Sequence, residues 1–100
     1  MTAMIDLLMP PAIYDHAYAG HLTENALSLD LVQEKCRAFG VVPPKGTFLY
    51  GCANQVPGGC VIVIPEINWR INAQDQDMIR RHETAHCNGW PGDHPNAVKW

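Results

Sequence analysis

Five residues near the C-terminus, His82-Glu83-Thr84-Ala85-His86, constrain this chain more than any other feature, because their spacing acquires chemical meaning only on a helix. The flanking sequence supplies that helix. Asn72 suits an N-cap, Asp75 and Asp77 suit the positive end of a helix dipole, Gly89 is a stop signal, and Pro91 forbids resumption. A helix is therefore expected from about Ala73 to Asn88. Histidines four apart on it are separated by about 40° and ~6 Å of rise, so both imidazoles can reach one metal ion. Glu83 lies about 60° round from His86, beside such an ion and not on it, where it can accept a proton from metal-bound water. Met78 and Ile79 continue the same stripe one turn earlier, whereas Arg80, Arg81 and Thr84 point the other way. Cys87 points well over ~90° from the mean ligand direction and is not counted as a ligand.

A zinc held by two imidazoles alone would be weakly bound, so a third ligand is expected after the helix. Asn88 is a poor zinc ligand, which leaves Asp93 and His94. Gly89 and Gly92 bracket a turn tight enough to bring residues 93–94 back over the helix end. Zinc's preference for imidazole over a lone carboxylate favours His94, with Asp93 as the alternative third ligand or else a turn former. Trp90 is expected to pack against the helix C-terminus.

The pattern His82-Glu83-x-x-His86-x-x-Gly89 resembles the active-site helix and turn of the zincin metallopeptidases, specifically the metzincin type. The resemblance implies a minimal zincin-like α+β domain ordered helix, β-hairpin, active-site helix. It also implies Zn²⁺ on His82 and His86, Glu83 as general base, and a peptide or protein substrate. The third histidine of that pattern would fall at position 92, which here is Gly92; His94 comes two residues later. No Met follows His94 to form the family's Met-turn, and no Glu follows Glu83 to serve as the distant ligand of a gluzincin. The longer run from His82 to His94 is similar to that of small bacterial zinc metallopeptidases, often preceded by an export leader. The competing expectation is a non-catalytic binding module whose zinc only holds the C-terminal segment to the helix. A hundred residues leave little wall for a substrate cleft.

The rest of the chain narrows the classes further. One hundred residues fit one domain, and 47% apolar against 17% charged residues can bury a core. A net charge of -3 without basic clusters argues against nucleic-acid binding. No apolar run approaches the ~18–20 residues of a membrane span. Met4–Met9 is apolar but short and lacks a basic flank, so no intact signal peptide is read. The expected location is cytoplasmic by default, or exported if the cysteines are bridged. Cys36, Cys52, Cys60 and Cys87 contain no CxxC pair, which disfavours a cysteine-type zinc site. They are expected as either two bridges or buried thiols, with three connectivities open.

Residues 1–22 read as an irregular arm and 23–100 as the metal-binding domain. The arm holds a cluster of Tyr14, His16, Tyr18 and His21, one of which could lie over the metal. Segment 21–27 is ambiguous between a strand and a lead-in. A first helix is expected from Asp30 to Phe39, with Asp30 and Gln33 as a capping box and Gly40 as the C-terminal cap. Thr47–Ala53 alternates with Phe48, Tyr50 and Cys52 on one face, and Cys60–Ile64 is β-branched up to Pro65. These form a hairpin across a loop of about six or seven residues, Asn54–Gly59, with Cys52 and Cys60 as cross-strand neighbours. The exposed edge of strand 60–64 is the expected docking line for an extended peptide.

Overall fold

A strand that is apolar at every position needs cover on both faces, and Cys60–Ile64 receives it. The computed structural model describes residues 8–43, 45–47 and 49–99. In chain order these form β1 (Leu8–Met9), β2 (His21–Leu27), α1 (Leu29–Ala38), β3 (Cys52–Val56), β4 (Gly59–Pro65), α2 (Ala73–Cys87) and β5 (Val98–Lys99). The strand order of the main sheet is β2-β4-β3, so β4 is central, parallel to β2 and antiparallel to β3. Side chains alternate across a strand. Accordingly Cys60, Ile62 and Ile64 pack with Ile71, and with Ile79 and Cys87 of α2. Val63 packs on the other face with Cys52 and with Val32 and Cys36 of α1. One helix covers each face, and the whole is a small single α+β domain with a radius of gyration of 12.7 Å, close to the ~13 Å of a compact 100-residue chain. Neither helix is long and apolar enough to cross a membrane.

Two disulfides staple the helices to the sheet. Cys36 of α1 bonds Cys52 of β3, and Cys60 of β4 bonds Cys87 of α2, with Cα atoms 5.8 and 5.9 Å apart. The two-bridge alternative therefore holds, but Cys52 and Cys60 are not neighbours across the hairpin. Cys52 pairs with Val63 and Cys60 with Gln55, because the turn is shorter than the sequence suggests. It is the two residues Pro57-Gly58, with Gly58 at φ 80. Proline followed by a positive-φ glycine closes a type II turn, so Asn54–Val56 enter the strand. β3 accordingly starts at Cys52 and not at Thr47; Phe48 lies outside the described residues.

α1 starts at Leu29, ahead of the expected Asp30, because the Ser28 hydroxyl accepts from the Leu31 N–H. Gln33 is not part of a capping box: its amide clamps the backbone of Leu49, accepting from the Leu49 N–H at 2.8 Å and donating to the Leu49 carbonyl. Gly40 takes the left-handed conformation expected of it (φ 89). Segment 21–27 is a strand, because the second edge of β4 needs backbone partners; pairing runs from His21↔Gly59 to Leu27↔Pro65. Nor is the arm over 1–22 irregular throughout. It contributes the start of β2 and also β1, which pairs antiparallel with β5 (Leu8↔Lys99, Met9↔Val98).

Candidate metal centre

α2 carries the capping box that Asn72 promises: Asn72 Oδ1 accepts from the Asp75 N–H at 2.7 Å, and the Asp75 carboxylate accepts from the Asn72 N–H. With its start fixed, the helix buries Met78, Ile79, His82, Glu83 and Ala85. Arg80 and Arg81 face outward, paired with Glu24, Asp77 and Asp15. His82 and His86 thus stand one turn apart with their Nε2 atoms 3.3 Å from one another. The chain then leaves the helix through Gly89 (φ 103), and a turn closed by the His94 N–H donating to the Pro91 carbonyl brings the third imidazole back. His94 Nε2 lies 3.2 Å from both other Nε2 atoms. His94 itself sits at φ 58, an uncommon conformation for a residue with a Cβ. That left-handed step lets a histidine two residues beyond the metzincin position still reach the helix.

Proton placement explains why these nitrogens can face each other. His82 Nδ1 donates to the Leu8 carbonyl and His86 Nδ1 donates to the Trp90 carbonyl, 2.8 Å away. A carbonyl only accepts, so each ring holds its proton on Nδ1 and offers a lone pair at Nε2. Lone pairs converging at this distance repel unless a cation or proton lies among them. Tetrahedral zinc with bonds of ~2.0–2.1 Å holds its ligand nitrogens about 3.3–3.4 Å apart, and the triad matches that spacing. His82, His86 and His94 are therefore placed to hold a metal ion. Asp93 is exposed on the turn and lies outside the converging group. Cys87, committed to Cys60, is not a ligand either.

Burial sets the charge state of the site. His82 is 8% exposed, and burial lowers its pKa to about 4 against the opposing pull of the Leu8 carbonyl, with His86 and His94 adding to the lowering. His94 is lowered in the same direction by burial and His86, opposed by Asp93. For both rings the shift favours the neutral imidazole, the form that ligates. Glu83 is 6% exposed, and burial raises its carboxyl to about 8. Trp90, 2% exposed, forms the back wall. It stacks on His86 (4.9 Å between centroids, 17° between planes) and meets His82 and His94 edge-on, while its Nε1 donates to the Pro95 carbonyl.

The triad and Glu83 line a cleft of about 420 Å³ whose opposite wall is Val41, Leu49 and Gly51–Ala53. Gly51 permits the approach of that wall. A Cβ there would lie 2.6 Å from the Val63 carbonyl oxygen and 3.2 Å from Glu83 Oε2. The arm cluster does not overlie the triad. The arm packs against the outer face of α2: Asp15 pairs with Arg81, the Tyr14 and His16 carbonyls accept from Asn88 Nδ2, and Tyr18 rests on the core. Sequence reasoning did not reach Gly51, the Val41–Leu49 wall or the Leu8 carbonyl. Glycine within a strand-like run signals close backbone approach, so Gly51 was findable; nothing local marks Leu8.

Fold and site together define a small α+β domain with three histidines placed to hold a metal ion. Comparison with protein-family models, curated proteins and solved structures finds no match.

Proposed function

We propose that this chain is a zinc-dependent peptide hydrolase with a minimal zincin-like core. One observation carries the reading: three imidazole lone pairs converge within 3.3 Å in the same cleft as a buried carboxyl group from the residue next to the first ligand. A zinc ion held by His82, His86 and His94 supplies a Lewis acid that polarises a substrate carbonyl and acidifies water. Burial raises the Glu83 carboxyl to about 8, and a cation on the triad would favour its ionised form; the carboxylate then takes the proton from the attacking water and returns it to the departing amine nitrogen. Its burial keeps competing solvent from the carboxyl group, and Trp90 holds the imidazole rings in place.

The substrate line differs from the one expected from sequence. β4 has a strand on each side, so a peptide cannot add to it. β3 is the outer strand, and its start borders the cleft. Antiparallel pairing alternates outward from the two-residue turn, which directs the N–H and C=O of Ala53 away from β4 and toward the open edge. An extended peptide pairing there runs past Glu83. Val41 and Leu49, the latter clamped by Gln33, favour an apolar side chain beside the scissile bond. The two disulfides suit an exported protein in an oxidising compartment.

Glu83→Gln is the deciding variant. It should retain about one equivalent of zinc while hydrolysis of an unstructured peptide mixture falls roughly 10²–10⁴-fold. Unchanged hydrolysis refutes the role of Glu83. Tight zinc binding by the wild type with no hydrolysis of any peptide favours the binding module instead.

A further inference from the structure

The proton of the first histidine is held from the far end of the sequence. His82 Nδ1 faces the carbonyl oxygen of Leu8 at 2.5 Å, across 74 positions. Leu8 belongs to β1, and the neighbouring Met9, 6% exposed, anchors that strand. The partner of β1 is β5, which begins four residues after His94. The intervening segment is tied in turn to the site, since the Pro95 carbonyl accepts from Trp90 Nε1 at 2.9 Å. The two-stranded ribbon therefore accepts the ring proton of one ligand through Leu8, and its second strand continues directly from the segment that carries another, a segment Trp90 holds by its backbone.

We propose that the β1–β5 ribbon is a positioning device for the metal centre: its closure fixes the Nδ1–H tautomer of His82 and holds the His94 segment over α2, so that ribbon pairing and metal affinity rise and fall together. The inference rests on the triad being a metal site. It assigns a task to a strand that plays no part in the main sheet. The physical basis is simple. An imidazole free to place its proton on either nitrogen spends part of its time with Nε2 protonated and unable to ligate, and rotates as well. Partners that hold the outer N–H of a metal-bound histidine are typically worth 10–100-fold in metal affinity. Linkage makes the effect reciprocal, so metal binding must strengthen the ribbon by the same factor.

The test uses the full chain. Met9→Lys places a charge at a buried anchor and unseats β1, while Met9→Leu keeps the anchor apolar. Zn²⁺ affinity is measured by competition with a chelator, and ring-nitrogen NMR of the metal-free protein reports the His82 tautomer. Disulfide mapping and far-UV circular dichroism establish that each variant is folded. The expected result is a loss of about 10–100-fold in affinity for Met9→Lys, with His82 passing from pure Nδ1–H to a tautomer mixture. Met9→Leu should restore both. Zinc should slow amide exchange in residues 8–9 and 98–99 of the wild type. Should Met9→Lys fail to fold, an ester in place of the Leu8–Met9 amide weakens the same acceptor without a new side chain and should lower affinity in the same direction. Affinity and tautomer unchanged in a folded Met9→Lys or ester protein overturn the proposal. A wild type that binds no Zn²⁺ at all overturns the metal reading beneath it, a separate and distinguishable result.

Discussion

Reduction of the two disulfides should bring this domain to the edge of unfolding, and the size of the effect follows from the sequence separations they close. Cys36–Cys52 spans 16 positions and Cys60–Cys87 spans 27. Loop-closure entropy assigns about 3 kcal/mol to the first and about 3.5 kcal/mol to the second at 25 °C. The loops do not overlap, so the contributions add to about 6.5 kcal/mol, against a total of ~5–15 kcal/mol for an ordinary domain. A chain of 100 residues has little apolar core to replace them. The bridges are also the ties between each helix and the sheet, and both touch the site. Cys87 directly follows His86, and Cys52 lines the cleft. Denaturant titration followed by circular dichroism, with and without a thiol reductant, measures the loss. The double variants Cys36→Ala/Cys52→Ala and Cys60→Ala/Cys87→Ala should each remove about half of it. Zinc should restore part of the stability of the reduced protein, because a ligand at about 1,000 times its Kd adds about 4 kcal/mol. Identical midpoints for oxidised and reduced protein refute the argument. So does a count of four free thiols in denatured, unreduced protein.

Two further outcomes test the site. Gly51→Ala drives a Cβ against the Val63 carbonyl, 2.6 Å away, and against Glu83. It should cost about 1–3 kcal/mol in denaturation and reduce hydrolysis more than zinc affinity; a variant as stable and as active as wild type shows the approach is looser than described. His94→Ala should reduce zinc affinity by well over tenfold in a chelator competition, while Asp93→Asn changes it only a few-fold. The opposite ranking transfers the third position to Asp93.

Sequence alone determined whatever depends on contacts within about one helical turn. The start of α2 at Asn72, its stop at Gly89 and the shared face of His82 and His86 were all legible, because caps and the 3.6-residue period act over three or four positions. The buried character of Cys60–Ile64 was legible for the same reason, from the unbroken β-branched run Val61–Ile64. Tertiary structure decided which surfaces meet. The same apolar run fits an edge or a centre, and only the parallel pairing of β2 makes β4 central and leaves β3 to border the cleft. Four evenly credible cysteines acquire partners only once each helix chooses a face of the sheet. The reach of His94 depends on a left-handed backbone step that no residue type at that position announces. The carbonyl that orients His82 belongs to Leu8 by position and not by side chain. A backbone group carries no sequence signature, so a contact made by it over 74 positions exists only in the folded chain.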